Sequence, residues 1–329
     1  MEEIHCIFCA NSKEKPFWVE NGFTGRKCLT CGLVFISPRP TETEMRSLYE
    51  NGTAGGATSE QHLEYSYAQT LYNRSILRVI QKHIVSGSLL EIGPGGGRFC
   101  KMAKEAGFSV HGIETNRVLA ATISERYKIS VECGSASDPT LFPGKKFDVI
   151  FHKDVLSHLH DPITTFKNMY NKLNDNGIMV FETGNGADLS RFWCSFIGRL
   201  SYPEHVFLFG RKNINTLLNK TGFTPLSCVS YSALFAITLN RLLKMIHRLQ
   251  LRGVPKQQQP DRTSAPKNIG HSVARETISF KEKIRGYILY TTNYRLRGFF
   301  PANWPCSMII VAQKKVPGVI GSNTSCKKP

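Results

Sequence analysis

The chain has 329 residues, 41% of them hydrophobic, and a formal net charge of +17. This length suits one large core with appendages, and the hydrophobic fraction is sufficient to pack it. No run of eighteen apolar residues occurs, and the first residues lack the basic-then-apolar pattern of a secretory signal. We therefore expect a cytoplasmic protein without a membrane-spanning helix.

The N-terminal segment 1–40 contains two C-x-x-C pairs, which are separated by 18 residues. The four cysteines are Cys6, Cys9, Cys28 and Cys31. Two such pairs on tight turns supply four thiolates in the tetrahedral arrangement that Zn²⁺ favours. The spacing predicts a zinc ribbon, and a closed set of four sulfur ligands predicts a structural role for Zn²⁺. The other six cysteines are scattered, and we expect them to be reduced.

Residues 41–84 read as a helical linker or lid, and residues 85–230 alternate between strand and helix patterns. This alternation predicts an α/β fold with a doubly wound, mostly parallel sheet. Residues 231–285 read as a basic amphipathic helix followed by a flexible linker. Residues 286–329 are expected to supply a C-terminal helix, the last strand of the core sheet and a tail.

The segment LLEIGPGGGRF is the main candidate for a cofactor site, because a buried strand ends there in a run of glycines. Glycines let the chain turn sharply and let a ligand approach the backbone. Glu114 follows 23 residues after Glu91, at the end of the next predicted strand. A carboxylate at that point can accept hydrogen bonds from both ribose hydroxyls of a nucleoside cofactor.

With LLEIGPGGGRF, VHGIETN, FDVIFHKDVLSHLHDP and LNDNGIMVFETGN, the chain resembles class I S-adenosylmethionine (SAM)-dependent methyltransferases. It is similar to the subgroup that includes ubiquinone-biosynthesis O-methyltransferases. Further matches are YPEHVFLFGRKNINTLLNKTGF and the closing IIVAQKK. The resemblance implies a Rossmann-like sheet of seven strands, SAM as the cofactor and methyl transfer as the activity.

The resemblance also implies roles for individual residues of the cofactor site. Glu91 and the glycines would surround the methionine part of SAM, and Glu114 would hold the ribose. Ser135 would flank the adenine, although many relatives carry an acid there. His152, Lys153 and Asp154 would face the cofactor and the acceptor. The glycines concerned are Gly93, Gly95 and Gly97.

A general base helps methyl transfer when the acceptor is a hydroxyl or an acidic carbon, and histidine suits that task near neutral pH. Three histidines are candidates by position: His152, His158 and His205. His205 lies in PEHVFLF, after the fifth predicted strand of the core, where the acceptor-facing loops of this fold usually lie. Packing or a structural hydrogen bond remains an alternative for each.

The positive charge is concentrated in the C-terminal third. Residues 231–329 contain 17 basic and 3 acidic side chains, a net +14, which leaves +3 of the total +17 for residues 1–230. The pattern over 235–252 predicts a helix with one basic and one apolar side. A segment of this kind suits the anionic inner face of a membrane, but a helix packed on the core with solvated charges has the same pattern.

The leading hypothesis is therefore a SAM-dependent methyltransferase for a small-molecule or lipid-linked acceptor, such as a surface-polysaccharide sugar or a quinone-type ring. An RNA methyltransferase is a second hypothesis, because a zinc ribbon and a basic surface also suit RNA. It is less favoured because the charge lies far from the ribbon in the sequence. A non-catalytic SAM-binding adaptor is the third.

Overall fold

The computed structural model describes residues 1–10, 13–50, 67–232, 234, 238, 279–295 and 303–315. The predicted basic helix over 235–252 lies outside these residues except for position 238, as do the predicted linker and the C-terminal tail. Within the described part of the chain, no helix is both long enough and apolar enough to cross a membrane.

The described strands and helices follow one another along the chain as predicted for an α/β protein. The strands are β1 Glu14–Glu20, β2 Phe23–Cys28, β3 Val34–Ile36, β4 Gly87–Ile92, β5 Phe108–Glu114, β6 Ser130–Cys133, β7 Phe147–Lys153, β8 Leu173–Gly184, β9 Phe207–Leu208, β10 Phe223–Tyr231 and β11 Ser307–Lys314. The helices are α1 Glu42–Glu50, α2 Tyr67–Gln81, α3 Arg98–Glu105, α4 Arg117–Tyr127, α5 Pro162–Lys172, α6 Arg191–Ile197, α7 Arg211–Lys220 and α8 Phe280–Tyr290.

Seven strands form the main sheet in the order β10-β11-β8-β7-β4-β5-β6. Strands β8, β7, β4, β5 and β6 pair in parallel, whereas β11 is antiparallel to both of its neighbours. The strand order reverses direction at β4, so the carboxyl ends of β4 and β7 flank a crevice where ligands bind in open α/β sheets. The predicted mostly parallel, seven-stranded sheet is confirmed.

Consecutive residues of the central strands face opposite sides of this sheet, and each side has its own core. Leu90 and Ile150 pack in one cluster with Phe166 of α5. Leu89 and Val149 pack in the other with helices α2 and α3. Both faces of the central strands are therefore buried, as a doubly wound sheet requires.

The N-terminal segment forms a smaller antiparallel sheet in the order β1-β2-β3-β9. Its fourth strand comes from far along the chain: Val34 pairs with Leu208 and Phe35 with Phe207. The cysteine-rich segment is thus joined by backbone hydrogen bonds to the loop region that follows β8. This pairing fixes where that later region lies relative to the main sheet.

Candidate active site

A cleft of about 900 Å³ opens at the carboxyl ends of the parallel strands. Most of the predicted cofactor residues line it, together with two of the three candidate histidines. These residues are Glu91, Gly93, Gly95, Glu114, Ser135, Lys153, Asp154, His158 and His205. Segments that are far apart in the sequence therefore meet at one site, on the side of the sheet where the topology places ligands.

The glycine turn after β4 forms one wall of the cleft. Gly93 has a backbone φ of 68° and Gly95 a φ of 54°, a conformation that side-chain-bearing residues rarely adopt. Gly97 has a different task, because it precedes the first residue of α3 with a φ of 69°. A side chain at Gly97 would collide with Ile123 and Tyr127. Gly97 is outside the lining of the cleft, and it is needed for the packing of α3 against α4.

Glu91 is the second-last residue of β4, and its carboxylate is buried. The Cys100 thiol donates a hydrogen bond to Glu91 Oε2 at 2.8 Å. Burial raises the pKa of Glu91 to about 7, and the hydrogen bond from Cys100 only partly opposes that shift. A cationic ligand in the cleft would favour the ionised carboxylate, so Glu91 is suited to hold an ammonium group.

Glu114 ends β5 and closes the glycine turn. Its Oε2 accepts a hydrogen bond from the Gly95 amide at 3.0 Å, and its Oε1 accepts one from the Asn116 amide at 3.0 Å. Hydrogen bonds from two backbone amides fix the carboxylate at the mouth of the turn. Oε1 also accepts a hydrogen bond from the Thr115 hydroxyl at 3.3 Å. Oε2 therefore keeps a lone pair for a ligand hydroxyl, whereas at Oε1 a ligand hydroxyl would have to replace that of Thr115.

Three further predicted residues complete the cofactor side of the cleft. Ser135 follows β6, and its hydroxyl lies 2.8 Å from the Ser137 hydroxyl. Lys153 ends β7 with its Nζ 4.3 Å from the centre of the Tyr72 ring, a cation–π contact. Asp154 follows with a backbone φ of 55°, the left-handed region that residues with a side chain seldom adopt.

His152 does not line the cleft, although it is adjacent to Lys153 in the sequence. Its side chain is 0% exposed and stacks on Phe181, with ring centres 5.0 Å apart. Neither ring nitrogen has a hydrogen-bond partner among the residues that the structure describes. Burial lowers the pKa of His152 to about 3, so the ring is neutral and part of the core. The alternation of strand β7 explains the difference, since neighbours on a strand point to opposite faces.

His205 lines the same cleft as the predicted cofactor residues. Its Nδ1 is 2.9 Å from the carbonyl oxygen of Leu200. A carbonyl can only accept, so Nδ1 carries the proton and Nε2 is the basic nitrogen. Burial lowers the pKa of His205, which keeps the ring neutral near pH 7. Its ring meets the His158 ring edge-on, with centres 4.8 Å apart.

His158 is more enclosed than His205. Burial is the main cause that lowers the pKa of His158 to about 3, and the neighbouring His205 adds to the shift. A hydrogen bond to the backbone of Glu204 works in the opposite direction. His158 therefore supports the His205 ring from the side as a neutral imidazole.

The N-terminal sheet holds the segment that carries His205. Glu20, the last residue of β1, accepts hydrogen bonds from the Leu200 amide at 2.6 Å and the Ser201 amide at 3.2 Å. The Asn21 side chain donates to the Tyr202 carbonyl at 2.7 Å. Leu200 therefore connects the two residues: its amide donates a hydrogen bond to Glu20, and its carbonyl accepts one from His205.

The four N-terminal cysteines come together at the other end of this small sheet. Their Sγ atoms all lie within 4.8 Å of one another, and the Sγ atoms of Cys6 and Cys31 are 3.5 Å apart. A tetrahedral Zn²⁺ with bonds of about 2.3 Å requires sulfur separations of about 3.8 Å. The Cys31 amide also donates to Cys28 Sγ at 3.4 Å. The cluster therefore fits the donor set and the size of a zinc site.

Several residues of the cleft were not predicted from the sequence. They come from α1, α2 and the loops after β7 and α6, and they include Glu42, Gln69, Asn73, His160, Asp161, Arg199 and Glu204. Glu20 was also missed, although it does not line the cleft. Only Glu204 had a usable signal, because it is adjacent to His205. The others reach the cleft through contacts between distant segments.

Comparison with known proteins agrees with this geometry. A family model described as "Methyltransferase domain" matches residues 65–228. Over 145 residues the chain is 31% identical to phosphoethanolamine N-methyltransferase 2 of Caenorhabditis elegans, covering 41% of this chain and 32% of that protein. Over 112 residues it is 31% identical to a ubiquinone biosynthesis O-methyltransferase of Pelagibacter ubique, covering 33% of this chain and 47% of that one.

The fold recurs among solved structures at low sequence identity. The [4+2]-cyclase SpnF superposes with a TM-score of 0.50 at 15% identity, covering 84% of this chain and 97% of that one. A likeness at this identity concerns the fold alone. The aligned region spans about a third to a half of the two curated relatives. Together with the sheet and the glycine turn, these matches identify residues 65–228 as a class I, SAM-dependent methyltransferase domain.

Proposed function

We propose that the protein transfers a methyl group from SAM to a small-molecule or lipid-linked acceptor, with His205 as general base. The observation that carries this proposal is the shared cleft: His205, whose basic nitrogen is Nε2, lines the same cavity as Glu91, Glu114 and the glycine turn. A surface-polysaccharide sugar and a quinone-type ring are the acceptor classes that we favour.

The cofactor side fits the chemical groups of SAM. Buried Glu91 would bind the ammonium of the methionine part, and its pKa of about 7 would fall when it does. Glu114 would accept from the ribose hydroxyls, the Gly93 and Gly95 backbone would lie against the methionine chain, and Ser135 would flank the adenine. SAM, when bound, supplies a methyl group already activated on a positive sulfonium.

The chain's own contribution to the reaction is orientation and proton removal. His205 holds its Nδ1 proton on the Leu200 carbonyl, so Nε2 can take the acceptor's proton as the new methyl bond forms. The lowered pKa keeps this nitrogen unprotonated at neutral pH. A hydroxyl or acidic-carbon acceptor uses such a base, because its proton must leave as the bond to the methyl group is made. Lys153 and Asp154 line the same cleft and would contact both molecules.

We also propose a structural Zn²⁺ on Cys6, Cys9, Cys28 and Cys31. All four positions are taken by sulfur, so the ion would have no open position for a substrate. Its task would be to fix the turns that position the N-terminal sheet. Since that sheet carries Glu20, the metal would affect the acceptor side of the cleft at a distance.

Labelled methyl transfer tests the catalytic proposal. The purified chain is incubated with SAM carrying a radioactive methyl group and with a small-molecule and lipid extract of cells. We expect label in a low-molecular-mass or organic-soluble product, and much less of it with a Glu114→Ala variant at a SAM concentration near the wild-type dissociation constant. Label that appears only in RNA, or no transfer to any fraction by a protein that binds SAM, would contradict the proposal.

Metal analysis tests the zinc proposal. The purified protein should contain about one zinc per chain, since four thiolates complete a closed site. Chelation should lower the thermal stability of the N-terminal sheet, and a Cys6→Ser variant should retain less metal. The exposed Cys133 provides a matched Cys133→Ser control that should keep the metal. A metal-free protein with an intact N-terminal sheet would exclude the site.

A further inference from the structure

Helix α8 has an apolar side that is partly exposed to solvent. Its large hydrophobic residues Phe280, Ile284, Tyr287 and Ile288 are 77%, 46%, 50% and 50% exposed. At 100° per residue, these four positions span an arc of about 100° on one side of the helix. Large apolar side chains grouped in this way on a surface mark an interaction site rather than scattered exposure.

The opposite side of α8 is its contact with the protein. Gly286 is buried against α2, and a side chain there would lie 2.9 Å from Cβ of Tyr67 and 3.0 Å from the amide of Ala68. Glu282, which caps the helix through the Ser279 amide, also projects to this half of the helix. The docked side and the apolar arc thus point in nearly opposite directions, and the exposed side has no acidic residue among positions 280–288.

Basic residues flank the apolar arc on both edges. Lys283 lies on one edge, and Lys281 and Arg285 lie on the other, all of them exposed. They belong to the C-terminal third, in which residues 231–329 have 17 basic and 3 acidic side chains, a net +14. An apolar strip bordered by cations is the pattern of a helix that lies in the surface of an anionic bilayer.

We infer that α8 docks the protein on an anionic phospholipid surface, with the apolar arc inserted and the flanking cations on the head groups. This inference rests on α8 and does not require methyl transfer. Charge favours lipid over a second copy of the chain, because a two-fold contact through α8 would bring its cations against identical cations. RNA would bind the cations but leave the apolar arc in water.

The position of α8 links this surface to the cleft. Helix α2, on which α8 packs, contributes Gln69 and Asn73 to the lining of the cleft. A protein docked through α8 would therefore hold its cleft near the membrane surface. An acceptor carried by a lipid could then reach the site without leaving the bilayer.

Vesicle binding of the full chain tests the inference. We expect binding to phosphatidylcholine vesicles that contain phosphatidylglycerol, with little binding to phosphatidylcholine alone. The variant Lys281→Gln, Lys283→Gln, Arg285→Gln should bind about 100-fold more weakly, since each basic residue contributes roughly a fivefold factor. A matched variant with Lys167→Gln, Lys212→Gln and Lys220→Gln removes the same charge from exposed positions of α5 and α7 and should bind nearly as the wild type does.

Insertion of the apolar arc into the bilayer must be measured separately, because the basic residues alone could adsorb the protein to the vesicle surface. Tryptophan introduced by Phe280→Trp should be quenched by brominated phosphatidylcholine in the anionic vesicles. Val85→Trp, at a residue that is also exposed, should not be quenched. All substituted side chains are exposed, and thermal unfolding of each variant checks that folding is unchanged.

Three outcomes would overturn the inference. The first is unchanged vesicle binding by the α8 charge variant, which would assign the binding to another part of the chain. The second is vesicle binding without quenching at position 280. The third is a dimer in solution that Ile284→Ser with Ile288→Ser dissociates, together with no vesicle binding, which would make α8 a contact between copies.

Discussion

In the proposed function the cleft has a cofactor side, formed by the strand ends, and an acceptor side, formed by His205 and the segment that carries it, and the two are constructed in different ways. The cofactor side is built mainly from the ends of adjacent parallel strands, so Glu91, Gly93, Gly95 and Glu114 are placed by one βαβ unit. The acceptor side depends on contacts over long distances in sequence, such as those from Glu20 to Leu200 and Ser201. A cofactor common to many enzymes can thus be bound by a local motif, while a particular acceptor is met by a surface assembled from distant segments.

This difference predicts that the two sides can be damaged separately. A change on the acceptor side should reduce turnover and leave SAM binding intact, because no hydrogen bond described here links Glu20 or His205 to the glycine turn. A change at the strand ends should reduce SAM binding directly.

Replacing the proposed base should have the largest effect. His205→Gln removes the proton acceptor, so labelled product should form about 100-fold to 10,000-fold more slowly. SAM affinity, measured by calorimetry, should change by less than about twofold if the two sides are independent. His83→Gln, at an exposed histidine, is the control and should retain wild-type turnover.

The pH dependence gives a second readout for the same residue. Burial lowers the pKa of His205, so the wild-type rate should fall only when the pH drops below the ordinary histidine range of about 6.5. That acid limb should be absent from the residual rate of His205→Gln. An unchanged rate, or an acid limb that persists in the variant, would remove His205 from the reaction.

Removing the Glu20 carboxylate, which binds the segment that carries His205, should reduce turnover by a smaller factor. Glu20→Ala leaves the Leu200 and Ser201 amides without their acceptor, and we expect a turnover loss of about tenfold from imperfect orientation of the base. Glu20 also lies 4.0 Å from Arg199, which lines the cleft, so that side chain loses its partner too. Glu20→Gln keeps one acceptor oxygen and should restore part of the rate.

If Glu20 positions His205, its loss should change a property of the His205 ring that a general loss of stability would leave unchanged. Nitrogen NMR of labelled histidine should show His205 with its proton on Nδ1 in the wild type. In Glu20→Ala the ring should instead exchange between tautomers. If thermal stability falls but the His205 signal is unchanged, Glu20 only stabilises the N-terminal sheet and does not position His205.

The same difference explains what the sequence could predict. The strand and glycine pattern around residues 89–114 predicted both the sheet and its ligand-binding edge, because local periodicity determines which residues end each strand. Glu20 could not be found in this way. Its role depends on the pairing of β3 with β9, whose residues are more than 170 positions apart, and such long-range pairing leaves no local pattern.

His152 shows the limit of reasoning from adjacency. It follows the apolar residues of β7 and precedes Lys153, and this position in the sequence predicted that it would reach the cleft. The alternation of side chains along β7 instead directs it into the core beside Phe181. The structure leaves its two ring nitrogens buried without partners, which costs about 1–3 kcal/mol for each unsatisfied group.

Replacing His152 should have the smallest effect of these changes, and it should stabilise the protein, whereas the other changes impair turnover. His152→Leu should raise the free energy of unfolding by about 1 kcal/mol at pH 7, measured by urea denaturation. The gain should grow as the pH falls from about 6.5 towards 3, because the unfolded chain takes up the proton first and the buried ring, with its pKa of about 3, does not. The exposed His83→Leu should show no such trend, and a loss of SAM binding in His152→Leu would return His152 to the site.

Calorimetric titration of SAM into three proteins tests the separation of the two sides most directly. The wild type and Glu20→Ala should bind SAM with the same affinity. Glu114→Ala should bind at least about 100-fold more weakly, since a hydrogen bond to a charged group contributes about 1.5–3 kcal/mol and two are lost from the ribose. Equal affinity in all three proteins would contradict the assignment of Glu114, and an equal loss in both variants would contradict the independence of the two sides.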